Sequence, residues 1–326
     1  MAADGAGMKP APARLSPRMR ASLVSAYGDP DVIRIGEADE PYLGPDSILI
    51  SVRAASVNPV DWKIVAGKLQ GAIPHHLPLI PGWDVAGVVE AVAPAVTEVA
   101  VGDRVLAYDR EDHVQFGTYA EKVAVPIRTV AKIPDSVDFV HAGALPLAGL
   151  TAEQLLDAAE VSAGDTVLVH AAAGGVGGFA SQLAHLRGAT VIGTASEKNH
   201  DFLRDRGVVP VTYGDNLVDN VLHADRDGVD VVIDTVGGEA LAATPQLLAP
   251  GGRVASIVDA AKVLELGGRY VWVQANHAQL KRLVGLVASG DIVVDIAETF
   301  PLERVADALA ASKRGHVRGK IVITVP

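Results

Sequence analysis

A glycine-rich turn between a strand and a helix places the strongest constraint on this 326-residue chain. The apolar segment Thr166–His170 runs into Ala172-Ala173-Gly174-Gly175-Val176-Gly177, and a predicted helix covers Gly175 to Arg187. Gly174 and Gly177 take the second and third glycine positions of a G-x-G-x-x-G pattern, with alanine in the first. Such glycines let a pyrophosphate approach the backbone and let the helix pack against the strand. The helix N-terminus adds free N–H groups, so the turn predicts a dinucleotide site.

The segments after this turn decide between that interpretation and a strand–helix connection that binds nothing. A helix is predicted over Lys198–Arg206, and strands follow in order at Thr190–Ala195, Val208–Tyr213, Asp230–Val236, Arg253–Val258 and Tyr270–Gln274. Alternating strands and helices specify a parallel sheet with helices on both faces. The fold class is therefore α/β, with a doubly wound parallel sheet.

The first half of the chain has a different pattern of short strands and turns. Ser47–Val57 and Val85–Val92 are rich in β-branched residues, which favours a compact β-barrel-like domain. The tail ends in the strand-like Lys320–Val325 and is expected to return to this first domain. We predict a catalytic domain over residues 19–142 and 275–326, a dinucleotide domain over 143–274, and a disordered Ala-, Pro- and Gly-rich leader over 1–18.

Composition excludes several classes of function. A formal net charge of −11 argues against nucleic-acid binding, which needs a basic face. The absence of cysteine excludes disulfides, a thiolate zinc cage and a cysteine nucleophile, and it fits a cytoplasmic protein. No segment approaches the ~20 apolar residues that span a bilayer, so no membrane span is expected.

The end of the second predicted strand indicates which dinucleotide is bound. NAD-specific sites place a carboxylate there, about 20 residues beyond the first glycine position. This chain has Ser196, with Lys198 two residues later, and these suit the 2′-phosphate of NADPH. Glu197 lies between them and would repel a phosphate that it faced. Ser196 and Lys198 are also compatible with an ordinary helix cap and solvated first turn.

A series of motifs resembles the medium-chain dehydrogenase/reductase superfamily, within it the zinc-independent quinone oxidoreductases. The resemblance runs from about Met19 to the C-terminus and follows the family order: Asn58-Pro59-Val60-Asp61, Pro81–Gly87, Gly102–Val105, Gly117–Glu121, Ala144–Ala152, Ala171–Gly177 and Asp230–Gly237. It implies a GroES-like β-barrel catalytic domain, a Rossmann domain and a cleft between them.

The resemblance also implies chemistry without zinc. Trp83-Asp84 stands where zinc members carry His-Glu, and both cysteine sets are missing, so no metal site is expected. Without a Lewis acid to stabilise an alkoxide, the expected reaction is hydride transfer from NADPH to a quinone or an α,β-unsaturated carbonyl. Trp62-Lys63 replaces tyrosines that some quinone oxidoreductases carry, which weakens the case for quinones.

The resemblance assigns expected roles residue by residue. Asn58 would lie beside the nicotinamide ribose and the substrate, and Asp61 would brace its loop. Lys63 would donate to the developing oxyanion, with Tyr108 and Tyr119 as alternative proton sources. The expected cofactor-binding residues are Asn58, Thr151, Ala173, Gly174, Gly175, Val176, Gly177, Ser196, Lys198, Tyr213, Val236 and Ile257. For Lys63, an ordinary solvated surface lysine is an equally good interpretation. For Tyr213, packing at the end of a strand is an equally good one.

Two other functions and one assembly stay open at this stage. The chain could reduce a carrier- or CoA-bound enoyl chain, or it could bind NADPH structurally or as a sensor with little turnover. The resemblance implies a homodimer, and the strand around Tyr270–Val273 could pair sheets across subunits. The same strand is equally compatible with a place inside one chain.

Overall fold

The computed structural model describes residues 17–326. Residues 1–16 of the predicted leader lie outside the described part. The predicted end of the leader at residue 18 is wrong, because Arg18 is the first residue of a strand. Arg18 lies opposite Asp39 in the neighbouring strand and their side chains are 2.7 Å apart.

The first part of the chain is mainly β-structure, followed by the first helices. Its strands are β1 Arg18–Leu23, β2 Arg34–Asp39, β3 Ser47–Val57, β4 His75–Ile80, β5 Asp84–Val92, β6 Arg104–Tyr108, β7 Val114–Phe116, β8 Lys122–Pro126 and β9 Val130–Lys132. Its helices are α1 Pro59–Val65, α2 Phe139–Gly143 and α3 Pro146–Ala158.

The middle of the chain alternates strands and helices. The strands are β10 Thr166–Val169, β11 Thr190–Thr194, β12 Val209–Val211, β13 Val229–Asp234, β14 Leu248–Ser256 and β15 Arg269–Tyr270. The helices are α4 Gly175–Leu186, α5 His200–Arg204, α6 Leu217–Ala224, α7 Gly238–Ala242, α8 Thr244–Leu247 and α9 Ala260–Glu265. The tail adds α10 His277–Ser289, β16 Ile296–Pro301, α11 Val305–Arg314 and β17 Lys320–Thr324. Short 3-10 turns lie at Pro30–Val32, Ile127–Thr129, Glu197–Asn199 and Leu302–Arg304.

The predicted α/β fold class is confirmed, including the doubly wound sheet. The six middle strands are all parallel and lie in the order β12-β11-β10-β13-β14-β15. This is the strand order typical of Rossmann folds. Successive strands are added on one side of β10 up to β12, and from β13 onward they are added on its other side, a reversal of strand order. Ligands bind such sheets at the carboxyl ends of the strands on either side of that reversal.

The GroES-like part is a seven-stranded sheet that the tail completes. The order is β16-β17-β3-β5-β6-β9, and β8 also pairs with β3. Strand β17 runs antiparallel to β3, with Ile321 opposite Val57 and Thr324 opposite Ala54. The predicted return of the tail to the first half is thus what the strands show, while the exact domain bounds stay a prediction.

Strand β15 is shorter than expected. The sequence predicts a strand over Tyr270–Gln274, but only Arg269 and Tyr270 pair with β14. Beyond them the Val271 N–H still bonds to the Ser256 carbonyl. The β-branched residues that suggested a longer strand lie at the edge of the sheet. A strand there has a neighbour on one side only, so the β-propensity of its side chains is less decisive.

The two sheets meet where β17 passes the glycine turn. The Gly319 N–H donates to the Ala173 carbonyl at 3.0 Å, and Gly319 and Gly174 form an isolated parallel bridge. Helix α3 packs on α4 behind this point. The start of β17 thereby fixes the catalytic sheet against the turn. Within residues 17–326, every helix is too short or too polar to cross a membrane.

Candidate active site

A cavity of about 670 Å³ opens between the two sheets, at the carboxyl ends of β10 and β13. It is bounded by the end of β3 and helix α1, by the start of α3, by the glycine turn, by the segments after β13 and β14, and by the α11–β17 connection. Most of its wall is apolar, as small-molecule sites generally are.

The glycine turn forms one wall, and its geometry requires glycine. A Cβ added at Gly177 would lie 2.2 Å from the Ala171 carbonyl oxygen, so only glycine allows the helix to approach the strand this closely. Gly174 is the N-cap of α4 and no side chain caps it. The free N–H groups of the first helical turn therefore face a cradle that would hold a pyrophosphate. The residues present fit a dinucleotide.

A buried carboxylate, Asp84, organises the opposite wall. It is fully buried and accepts hydrogen bonds from the Ser56 hydroxyl at 2.5 Å, the Asn58 Nδ2 at 2.9 Å and the Leu147 backbone N–H at 2.7 Å. Burial raises the pKa of Asp84, although these donors and the Lys320 charge oppose the shift. The result is a fixed orientation of the Asn58 amide, whose side chain lines the cavity.

Lys320 is the main site residue that the sequence prediction missed. Its ammonium donates to the Asn58 Oδ1 and lies 3.3 Å from the Val57 carbonyl oxygen. The side chain is only 5% exposed, and burial lowers its pKa. Its methylene chain covers Gly175, where an added Cβ would meet the Lys320 Cδ at 2.9 Å. A lysine opening an otherwise apolar tail strand was the available signal.

Asp61 lies behind this wall and braces the loop. Its Oδ2 accepts from the Asn58 backbone N–H and from the Tyr119 hydroxyl, both at 2.7 Å. Tyr119 is fully buried in that contact and does not line the cavity. The expectation that Tyr119 donates a proton to substrate therefore has no support in this arrangement.

Lys63 and Tyr108, the other two candidate donors, both line the cavity. Lys63 is exposed, and partial burial of its ammonium together with the Lys68 charge lowers its pKa. Tyr108 is fully buried, packs edge-on against Trp83, and its hydroxyl has no hydrogen-bond partner within the described residues. The Thr151 hydroxyl is likewise buried without a partner there. Unpartnered buried hydroxyls that line a cavity are suited to bind a ligand oxygen.

The expected cofactor residues divide into two groups. Seven line the cavity, namely Asn58, Thr151, Gly174, Gly175, Val176, Gly177 and Ile257. Five do not, namely Ala173, Ser196, Lys198, Tyr213 and Val236. Ala173 is buried within the turn, whereas Tyr213 and Val236 are about half exposed. The structure thus brings seven of the twelve residues to one cavity and places the other five outside it.

A zinc ion does not fit these residues. The chain has no cysteine, and no group of three or more possible ligands occurs among residues 17–326. Asp84 already accepts three hydrogen bonds, and its neighbour Trp83 is an indole that packs on Tyr108. We derive no chemistry through zinc.

Asp61 generates a prediction about pH. Burial raises its pKa to about 7, above the ordinary value of 3.8. Because the folded state holds this proton more tightly than the unfolded state, Asp61 favours folding at low pH, and this contribution is lost as pH rises from about 4 to 7. The free energy of unfolding of Asp61→Asn should therefore rise relative to that of wild type as the pH increases from 5 to 8, so that the deficit of the variant shrinks or reverses.

Chemical denaturation of both proteins at these two pH values checks this. Carboxyls that do not interact with Asp61 titrate equally in both proteins, so the difference reports Asp61 together with its electrostatically coupled neighbour Asp84. A stability difference that stays constant, or one that changes in the opposite direction, would contradict a raised pKa for Asp61.

Comparisons with known proteins show which families the chain is similar to. The alcohol dehydrogenase GroES-like domain family matches residues 44–135, and the zinc-binding dehydrogenase family matches residues 189–323. A chloroplastic NADPH-dependent alkenal/one oxidoreductase of Arabidopsis thaliana is 38% identical over 323 residues, covering 96% of this chain and 81% of the relative.

Two further relatives carry the comparison. A 2-methylene-furan-3-one reductase of Solanum lycopersicum is 36% identical, covering 94% of this chain and 79% of the relative. The structure of a quinone oxidoreductase from Coxiella burnetii superposes with a TM-score of 0.87 at 34% identity, covering 95% of this chain and all of the other. The resemblance inferred from motifs is confirmed, and the chain belongs to the medium-chain dehydrogenase/reductase superfamily, among the relatives of quinone and alkenal/one oxidoreductases.

Proposed function

We propose that this protein is an NADPH-dependent reductase that transfers hydride to an α,β-unsaturated carbonyl or a quinone without zinc. The observation that carries the proposal is one cavity that joins the glycine turn to Asn58, Lys63 and Tyr108. The printed activities of the Arabidopsis and tomato relatives favour enones, and that of the Coxiella structure favours quinones.

The residues of the chain orient and polarise the reactants. When bound, NADPH supplies the hydride. Asn58, held by Asp84 and Lys320, offers a fixed amide to the nicotinamide ribose or the acceptor. Lys63 donates to the acceptor oxygen as negative charge collects there, and the free hydroxyl of Tyr108 is a second donor. Holding two planar groups in contact supplies much of the rate enhancement.

An acceptor panel tests this function. NADPH oxidation by the purified protein should be rapid with small enones or quinones. Lys63→Met should lower kcat about tenfold or more, as expected for loss of an oxyanion donor. Tyr108→Phe, which removes only a hydroxyl, is the matched comparison within the same cavity.

Three outcomes would contradict the proposal or its assignments. Tight NADPH binding without turnover of any acceptor would favour a structural or sensor role. Exclusive use of an enoyl thioester such as crotonyl-CoA would favour the biosynthetic enoyl reductase. Loss of kcat in Tyr108→Phe but not in Lys63→Met would move the donor role to Tyr108.

NADPH is proposed over NADH because of the residues after β11. Ser196 is half-buried at the strand end, and Lys198 is exposed two residues later. No carboxylate occupies the Ser196 position, where NAD-specific enzymes hold the ribose hydroxyls. Glu197 lies between them and is exposed.

Removing the charge of Lys198 or of Glu197 tests the preference for NADPH over NADH. Lys198→Ala should raise the Kd for NADPH about fivefold, the scale of an exposed ion pair, and leave the Kd for NADH nearly unchanged. Glu197→Gln should do the reverse and tighten NADPH. Fluorescence titration with both nucleotides measures this. Tighter binding of NADH by wild type, or equal loss of both nucleotides in Lys198→Ala, would contradict the assignment.

We also propose a homodimer in the cytoplasm. The location rests on the cysteine-free composition. The dimer rests on the edge position of β15, followed by Val271, Trp272 and Val273, with Trp272 40% exposed. An exposed edge followed by apolar side chains favours pairing with another copy.

Sedimentation at micromolar concentration tests the dimer. Wild type should sediment as a dimer, and Trp272→Glu should shift it toward monomer by placing a charge in the interface. Val101→Glu is the control, because Val101 is 63% exposed and lies in the other part of the fold. A wild-type monomer would refute the assembly.

A further inference from the structure

The charges that line the cavity are all of one sign. Its wall contains Lys63, Lys68 and Lys320, and it contains no aspartate or glutamate. The whole chain carries a formal net charge of −11. A locally cationic cavity in an acidic protein attracts anionic ligands.

Two of these lysines lie away from the glycine turn, on the wall that α1 provides. Lys63 is in α1, and Lys68 follows it, with its backbone N–H bonded to the Lys63 carbonyl at 2.9 Å. Their ammonium groups lie 5.7 and 5.3 Å from the centre of the Trp62 ring. One indole ring therefore holds both cations at the same end of the cavity.

Neither lysine forms an ion pair with a carboxylate of the described residues. Within residues 17–326, no carboxylate oxygen lies within 4 Å of either ammonium. Asp29 forms an ion pair with Lys313, which lowers the pKa of Asp29 more than the Lys68 charge does. Four other lysines have a carboxylate within 3.0 Å, namely Lys122, Lys132, Lys262 and Lys313. Among the same described residues, the exposed Lys198 and Lys281 share the absence of an ion pair but lie outside the cavity. Together with partial burial, the Lys68 charge lowers the pKa of Lys63, as expected for two neighbouring cations that repel each other, and a bound anion would relieve that repulsion.

The surroundings indicate what else the anion carries. Val60, Leu69 and Trp272 line the same cavity and provide apolar surface for a carbon chain. The pyrophosphate of a dinucleotide belongs at the N-terminus of α4, on the opposite wall. The two lysines therefore face the acceptor end of the cavity.

We propose that Lys63 and Lys68 form an anion subsite, so that the preferred acceptors are α,β-unsaturated carbonyl compounds that carry a carboxylate. This rests on the proposed function. Lys63 polarises the carbonyl and Lys68 holds the carboxylate. For 4-oxopent-2-enoate, hydride adds to the carbon β to the ketone and a proton to the carbon α to it. The products are 4-oxopentanoate and NADP⁺.

A matched pair of acceptors tests the subsite. The ratio of kcat/KM for 4-oxopent-2-enoate to that for the neutral 4-oxopent-2-enamide is measured in wild type and in Lys68→Met. The ratio should fall about fivefold in Lys68→Met, the size of one surface ion pair, and further in Lys68→Glu. High salt should lower the wild-type ratio in the same direction. Because the same two acceptors are used with both proteins, comparing this ratio between wild type and variant cancels the different intrinsic reactivity of the acid and the amide.

Lys281→Met is the control, since it removes the same charge from an exposed position outside the cavity. It should leave the ratio at the wild-type value. A ratio that is unchanged in Lys68→Met, or that falls equally in Lys281→Met, would overturn the subsite. So would a raised Kd for NADPH in Lys68→Met with no change in the ratio, because the lysine would then serve the cofactor.

Binding of the saturated product separates this proposal from the proposed function. Calorimetry measures 4-oxopentanoate binding to protein loaded with NADP⁺, with 2-pentanone as the neutral comparison. Binding of the acid that weakens about fivefold in Lys68→Met supports the subsite even if no enone is reduced. Turnover of neutral enones without any preference for the acid supports the function and overturns the subsite.

Discussion

The hydrogen bonds to the buried carboxylate of Asp84 hold the catalytic wall together. Their donors are Ser56 at the end of β3, Asn58 directly after that strand, and Leu147 at the start of α3, much later in the chain. A buried carboxylate is stable only when its oxygens are paired, so these donors cannot rearrange independently. With Asp84 fixed, the Asn58 amide has one orientation, and its Oδ1 faces Lys320.

Lys320 extends this constraint across the cleft. The residue before it, Gly319, bonds to the glycine turn, while the ammonium of Lys320 bonds to Asn58. One short stretch of the tail strand therefore contacts the catalytic wall and the dinucleotide wall. This explains why the chain returns its last strand to the first sheet: the cavity would otherwise lack its link between β3 and the turn.

Structural elements that are determined by neighbouring residues in the sequence were predicted well. Strand β3 was predicted residue for residue, and α4 began where the glycine turn predicted. The predicted helix Lys198–Arg206 is instead a 3-10 turn, Glu197–Asn199, followed by the short α5. Lys320 was missed because its contact with Asn58 joins residues 262 positions apart, which no local pattern encodes. Tyr119 was misjudged for a similar reason, since only the fold turns its hydroxyl toward Asp61.

Asp84, which the motif comparison aligns with a ligand position of zinc-dependent members of the superfamily, serves here to orient an amide. A zinc site polarises a carbonyl by direct coordination, whereas this wall offers hydrogen-bond donors of moderate strength. Such donors suit an acceptor that conjugation has already activated. The chemistry of the site and the missing metal ligands thus favour the same class of reaction.

Deuterium transfer from the cofactor distinguishes reduction of the conjugated double bond from reduction of the carbonyl. Reduction of a simple enone with NADPH carrying deuterium at C4 of the nicotinamide, followed by NMR of the product, locates the transferred hydride. The account predicts deuterium on the carbon β to the carbonyl and a solvent-derived hydrogen on the α-carbon. Deuterium on the carbinol carbon of an allylic alcohol would contradict it, because that product requires direct reduction of the carbonyl.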